Sequence, residues 1–339
     1  MRTLIRRIWA WKFLFITIIV LGVLLIVSFY VSSLNLEPKT ENLVIFDNNG
    51  KALAKAPFPP SSEFLLGTDR SGYKVDHMLL IGAKFTILAG LGITLLRVTI
   101  GSVIGLFLSM YARKVRFVVE AFSLPFKYIP ALIVAMFLMN PVVRSYISVD
   151  LLKLVSVQII ILVVIALPSV ITWSSDLVDK LRETSYVQSS LLLGASPWHI
   201  IRKHLLPHLK VYGGILFLQQ FIQTLTLMMY LGVFGYFIGG SVFASVIKDE
   251  NVDKGSLVNE WAGLIGFYRK EYLMAPWLVL FPMLCFFLLI MLASLTVKEW
   301  EKNTVLGVKL PLKEKEKINS DKKKSVSFTF VNKEIGREI

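Results

Sequence analysis

With 55% hydrophobic and only 18% charged residues among 339, the chain falls short of the roughly one-quarter charge content of soluble domains, and an ordinary soluble protein is excluded. Its net charge of +14 does not point to nucleic acid, because Lys and Arg gather in the cytoplasmic segments of membrane proteins. The single cysteine, Cys285, has no partner in the chain, so a disulfide and a cysteine-based metal centre are excluded as well.

Six apolar runs are long enough to cross a hydrocarbon layer, and lipid leaves the backbone little choice but helix. The first, 13–31, follows the basic start Arg2, Arg6, Arg7 and Lys12. It is longer than the ~7–15 residues of a cleaved signal core and no A-x-A site follows, so it reads as a retained anchor. Residues 32–84 form a polar excursion. Asp47-Asn48-Asn49-Gly50 is a turn between short β-prone pieces, and Pro57, Pro59 and Pro60 stiffen the stretch beyond them. The second span, 85–110, leads through the basic link Arg113-Lys114-Val115-Arg116 to a third at 117–139, which contains Pro125 and Pro130. A fourth lies at 151–173. A polar stretch, 174–210, precedes the fifth at 211–238, whose end carries the series Gly232, Gly235, Gly239 and Gly240. A second excursion, 239–275, leads to the sixth span, 276–297. The tail beyond it holds eleven basic and seven acidic residues and reads as solvated and drawn to anionic lipid.

Orientation follows from the basic residues. With the N-terminus inside, inner segments hold 23 of the 37 Lys and Arg and outer segments 12, counting Lys153 at the outer edge of the fourth span, leaving Arg97 and Lys127 within spans. Both termini are expected in the cytoplasm of a multi-pass plasma-membrane protein. The domain reading is a cytoplasmic N-terminus and first helix (1–31), an extracytoplasmic lobe (32–84), a membrane core (85–297) and a charged cytoplasmic tail (298–339).

The stretch from Tyr186 to Pro207 reads as helix, stop, helix. Gly194 suits the left-handed position that ends a helix, Ser196 can cap the next and Pro197 fits its first turn. The second helix places Ile200, Ile201, His204 and Leu205 on one side, with Arg202 and Lys203 elsewhere. Such a helix can lie on a membrane surface or dock in a groove on a soluble partner.

Here the sequence resembles a known family. Leu193-Gly194-Ala195-Ser196-Pro197-Trp198, ending in His204-Leu205-Leu206-Pro207, is similar to the EAA loop of ABC importer permeases. Leu66-Gly67-Thr68-Asp69-Arg70-Ser71-Gly72, then Ile81-Gly82-Ala83-Lys84, resembles the segment before the core of the oligopeptide, dipeptide and nickel permeases. Trp261-Ala262-Gly263, then Tyr272-Leu273-Met274-Ala275-Pro276-Trp277 and Leu280-Phe281-Pro282, resembles their entry to the last span. The departures mark a divergent member. Gln188-Ser189-Ser190 replaces Glu-Ala-Ala, a Gly-Gly pair is missing at Tyr111-Ala112-Arg113, and Lys74 stands where an Asp is usual.

The resemblance implies an all-α, six-helix, type I ABC importer permease fold with a small extracytoplasmic lobe. It implies a partner permease, two ATP-binding cassette ATPases, an extracytoplasmic solute-binding protein and a surrounding lipid bilayer, with short peptides as substrate and nickel second. Gln188, Gly194, Ala195, Ser196, Pro197 and Trp198 would form the ATPase-coupling loop. The chain itself has no G-x-x-x-x-G-K-[ST], so hydrolysis is expected in other chains, with no catalytic residue and no cofactor here. His204 and His208 stand at i, i+4, but Pro207 interrupts them and no zincin-type Glu follows, so no metal site is expected. Trp9, Trp11, Trp173 and Trp277 read as interface anchors. A rival reading is a permease-derived scaffold or sensor that no longer transports, which the altered Gln188-Ser189-Ser190 and the long tail keep open.

Arg97 is the remaining candidate. A charge in the middle of a span costs about 2.5–3.5 kcal/mol on insertion scales. Gly90, Gly101 and Gly105 lie within about 80° of it on one helix face. Small residues there let helices approach, so Arg97 is expected to face protein or the translocation path.

Overall fold

The computed structural model describes residues 11–34, 40, 43–46, 52–144, 151–240 and 260–307. In chain order its elements are α1 (Lys12–Ser33), β1 (Val44–Phe46), β2 (Ala52–Lys55), α2 (Val75–Tyr111), α3 (Arg113–Tyr128), α4 (Ala131–Arg144), α5 (Leu151–Arg182), α6 (Ser185–Leu192), α7 (Pro197–Ile200), α8 (Leu206–Val233), α9 (Trp261–Tyr268) and α10 (Trp277–Gly307). A π-helical turn, Ile201–Leu205, joins α7 to α8. Among the described residues five helices are long and apolar enough to cross a membrane: α1, α2, α5, the Val211–Val233 part of α8, and Trp277–Thr304 of α10.

The expected count of six departs from this at one place. Instead of a continuous span over 117–139 the chain makes α3 and α4, broken at Ile129–Pro130. Proline lacks an N–H and pushes the residue before it out of the helical region; Ile129 sits at φ −82°, ψ 122°. On the near side, α3 carries Arg116 and Glu120. On the far side, the apolar part of α4 is shorter than the ~20 residues a full crossing takes.

The other boundaries shift because backbone hydrogen bonding continues past the apolar window. α2 starts at Val75 and α5 runs to Arg182. α8 stops at Val233, short of the expected 238, where the N–H of Gly235 turns back to the Gly232 carbonyl at 2.8 Å. The expected turn at Asp47–Gly50, the start Arg2, Arg6 and Arg7, Trp9, about half of the second excursion (241–259) and the tail beyond 307 lie outside the described residues.

α2 is the axis of the molecule, packed against α1, α5 and α8. Its glycines set the closeness. A Cβ at Gly101 would lie 2.5 Å from Val170 Cγ1, one at Gly105 2.8 Å from the Ile171 carbonyl oxygen, and one at Gly90 3.1 Å from Phe221. With 37 residues, α2 is about 55 Å long. The lobe, with its antiparallel β1–β2 pair, meets its N-terminal end. The paired helices α6 and α7 meet its C-terminal end through Leu106 and Met110.

α1 packs Val20, Leu21, Leu24 and Leu25 against the core, leaves its other side exposed, and is pinned by polar contacts at a few points. Thr17 and Thr296 hydroxyls lie 2.7 Å apart, and the Ser28 hydroxyl donates to the Ile81 carbonyl at 3.2 Å. Backbone N–H groups of Phe13 and Leu14 donate to Glu299 Oε2 at 2.8 and 3.2 Å, so the last helix caps the first.

Candidate functional site

The turn between α6 and α7 is built by its own sequence. Gly194 has φ +82°. The N–H of Gly194 donates to the Leu191 carbonyl and that of Ala195 to the Ser190 carbonyl, both at 3.0 Å. These two bonds close the last turn of α6 and satisfy carbonyls the helix leaves open. Ser196 then accepts the His199 N–H on its Oγ at 3.3 Å, with Pro197 in the first turn of α7. The outward side of this fixed turn is apolar: Leu192 and Leu193 are each 88% exposed and Trp198 66%.

Its inner side is locked. Val187, Ile200, Ile201 and Leu205 are buried with Val178 and Leu181 of α5. Gln188 does not face outward for a partner alone, since its Nε2 donates to the Arg182 carbonyl at 2.9 Å. Tyr186 lies between two histidines, with its hydroxyl 3.2 Å from His208 Nε2 and its ring 5.7 Å from that of His204. Among the described residues no group of three or more His, Cys, Asp or Glu is arranged to hold a metal. Beside the turn, Arg116 of α3 pairs with Glu120 and with Asp176 and Asp179 of α5, and Arg182 donates to the Ser109 carbonyl at 3.1 Å. The basic link thus anchors α3 to α5.

At the opposite end the two remaining resemblance segments meet. Asp69 accepts the N–H groups of Ser71 and Tyr73 on Oδ1 and the Tyr268 hydroxyl on Oδ2 at 2.8 Å. Trp277 donates from Nε1 to the Thr68 carbonyl at 3.2 Å, and a Cβ at Gly67 would sit 2.8 Å from the same Nε1. Trp277 is therefore a clamp between lobe and last helix. Trp261 donates to the Leu79 carbonyl from its ring and to Thr86 Oγ1 from its backbone, which seats α9 against α2.

Arg97 lies in the interior between α2, α5 and α8 and is 1% exposed. Its Nε and Nη2 donate to the Leu162 carbonyl at 3.0 and 2.5 Å, and Nη1 to Thr224 Oγ1 at 2.8 Å. It forms part of the wall of a 340 Å³ cleft that α4, α5 and α8 enclose beside the Ile129–Pro130 break. Arg97 and the α6–α7 turn do not form one site; they occupy the interior and one end of α2.

Two interior polar residues escape a reading by motif. Glu260 Oε1 accepts the Ile238 N–H at 2.6 Å, and Gln158 bonds the Gly239 N–H at 2.9 Å and the Phe237 carbonyl at 3.0 Å. Together they hold the turn that comes after α8. Burial pushes the Glu260 carboxyl up to about 8, against the opposing Ile238 bond. The available signal was a polar side chain inside an apolar span for Gln158, whereas Glu260 follows Asn259 in a polar excursion and carried no such mark.

Residues 98–302 match the family model for the binding-protein-dependent transport system inner membrane component. The dipeptide transport system permease protein DppC of Lactococcus lactis subsp. cremoris is 24% identical over 228 residues, covering 66% of this chain and 59% of that protein. A putative peptide transport system permease protein of Brucella suis biovar 1 is 27% identical over 224 residues, covering 66% and 67%. The glutathione transport system permease protein GsiD of Pectobacterium atrosepticum is 22% identical over 238 residues, covering 70% of each. The alignment with the Lactococcus protein thus takes in less than two thirds of that relative. The family match runs from the middle of α2 into α10 and takes in well over half of the chain. This multi-pass membrane protein belongs to the family of binding-protein-dependent transport system inner membrane components.

Proposed function

We propose that the chain is one of two permease subunits of an ATP-driven ABC importer for short peptides, with nickel as the second substrate class. In this reading it sits in the plasma membrane with both termini in the cytoplasm and the lobe outside. A partner permease completes the path, two ATPase chains drive it and an extracytoplasmic solute-binding protein delivers substrate. The observation that carries the reading is the α6–α7 turn, which is rigid on its inner side and offers Leu192, Leu193 and Trp198 to a partner on its outer side. Gln188, Gly194, Ala195, Ser196, Pro197 and Trp198 then form the element through which ATPase closure reaches the bundle. The relatives named for peptides, dipeptides and glutathione support peptides ahead of nickel.

Purification of the tagged chain from its own membranes, with every associated polypeptide identified, tests this. Wild type should retain ATPases with Walker motifs and a second permease. Gly194→Val places a β-branched residue at φ +82°, a strain of order 1–3 kcal/mol. Its spans should stay inserted while the ATPases and peptide uptake are lost. Retention of both would refute the coupling role. The second reading, a scaffold or sensor, is favoured by the inward bond of Gln188 to Arg182; wild type purifying without any ATPase would establish it.

A further inference from the structure

Arg97 carries a charge that the fold leaves uncompensated. Its bonded acceptors, the Leu162 carbonyl and the Thr224 hydroxyl, are both neutral. Among the described residues no carboxylate pairs with it. A guanidinium has five N–H donors, so two remain beyond the three bonds it makes. Buried charges are ordinarily paired, because an isolated ion in an apolar medium is costly.

The cleft beside it supplies the room. Its 340 Å³ lie at the lower end of the ~300–1,000 Å³ of ligand sites, enough for one end of a short peptide. Ile129, Leu132 and Ile165 make its walls apolar, and among the described residues Arg97 is the only charged one lining it. Ser169, Gln223 and Thr226 add polar groups around it. Gln223 accepts the Gln220 amide on Oε1 at 3.1 Å, which leaves its own NH₂ as a donor. One cation, extra donors and apolar walls fit a single carboxylate on an otherwise apolar body. Among the described residues lining it, no anionic group is there to pair with an ammonium.

We propose that this cleft receives the C-terminal carboxylate of a short peptide during passage, with Arg97 as the charge that attracts it and Gln223 as a direct donor. The assignment rests on the peptide-importer reading above. It makes the permease itself a reader of the substrate's end, downstream of the binding protein.

The test uses the complete complex in proteoliposomes, with its binding protein and ATP. The probes are a tripeptide library with free C termini, the same library amidated, and the same library N-acetylated. Because the binding protein is common to every sample, its own selectivity cancels when variants are compared. Wild type should prefer free acid over amide more strongly than Arg97→Gln does, by about tenfold in kcat/KM. Arg97→Lys should keep most of the preference, and the exposed Gln223→Ala should lose part of it. The free-acid to N-acetyl ratio should not move in any variant. An acid-to-amide ratio unchanged in Arg97→Gln overturns the proposal while leaving the importer reading intact. Loss of the partner permease from Arg97→Gln would give Arg97 a role in assembly instead and equally overturn it. If wild type imports none of the libraries, the peptide reading falls and this inference with it.

Discussion

Tyr268 donates its phenolic hydrogen to Asp69 Oδ2 at 2.8 Å across 199 positions of sequence. The other oxygen of Asp69 accepts the Ser71 and Tyr73 N–H groups at 2.9 and 2.7 Å. One carboxylate therefore closes the lobe's turn and fastens that turn to α9. Burial and the neighbouring Asp69 charge hold the Tyr268 hydroxyl protonated well beyond its usual range.

Tyr268→Phe removes this hydrogen-bond donor to a buried carboxylate. The expected cost is about 1–3 kcal/mol, read as a lower thermal midpoint of the detergent-solubilised protein. The lobe should also become more open to protease near Arg70. A midpoint equal to that of wild type would show the bond to be dispensable.

Glu260 should make stability depend on pH. Its folded-state value, about 8, lies above the ordinary 4.5, so the fold favours the protonated carboxyl. That contribution is complete below about pH 4.5 and declines as pH rises, being gone above about 8. The thermal midpoint should fall between these limits in wild type and stay flatter in Glu260→Gln. Parallel curves for the two proteins would contradict the assignment.

Loss of Glu299 should loosen α1. Glu299→Ala removes a charge-assisted cap on the Phe13 and Leu14 N–H groups, worth about 1 kcal/mol. Thr17 and Thr296, whose hydroxyls are 2.7 Å apart, offer the readout. A Thr17→Cys/Thr296→Cys pair should oxidise readily in the parent and more slowly with Glu299→Ala added. Equal rates would mean that apolar contacts alone hold the helix.

Gly101→Ala tests the contact between α2 and α5. The new methyl would lie 2.5 Å from Val170 Cγ1, and such overpacking costs about 1–3 kcal/mol. Val170→Ala in the same chain removes Cγ1 but leaves Cβ 2.8 Å away, so it should recover part of the loss, a coupling that a double-mutant cycle in thermal stability measures. Additive losses would place the strain elsewhere.

The elements that could be read from sequence are those whose cause is local. Gly194, Ser196 and Pro197 define a helix end and a helix start within a few residues, and that is what the backbone does there. Long, predominantly apolar runs likewise mark α1, α2, α5, α8 and α10. Pro130 was visible too, but its effect depends on what lies beside it. Arg116 and Glu120 make α3 a charged helix bound to Asp176 and Asp179, so the chain on the two sides of Ile129 has different surroundings. Partners such as Asp69 with Tyr268, or Arg97 with the Leu162 carbonyl, were hidden for another reason. Backbone acceptors leave no mark in a sequence, and pairs so far apart are joined only by the folded bundle.

The cap that Glu299 places on α1 has a consequence for how the bundle is made. Phe13 and Glu299 are 286 positions apart, so the ribosome releases the first of these helices long before the residue that secures it. Until then α1 stands in lipid with its opening N–H groups awaiting their last-made partner. α2 holds the other end of α1 early, through the Ser28 bond to the Ile81 carbonyl, and synthesis of the end of α10 is the event that fastens its opening turn.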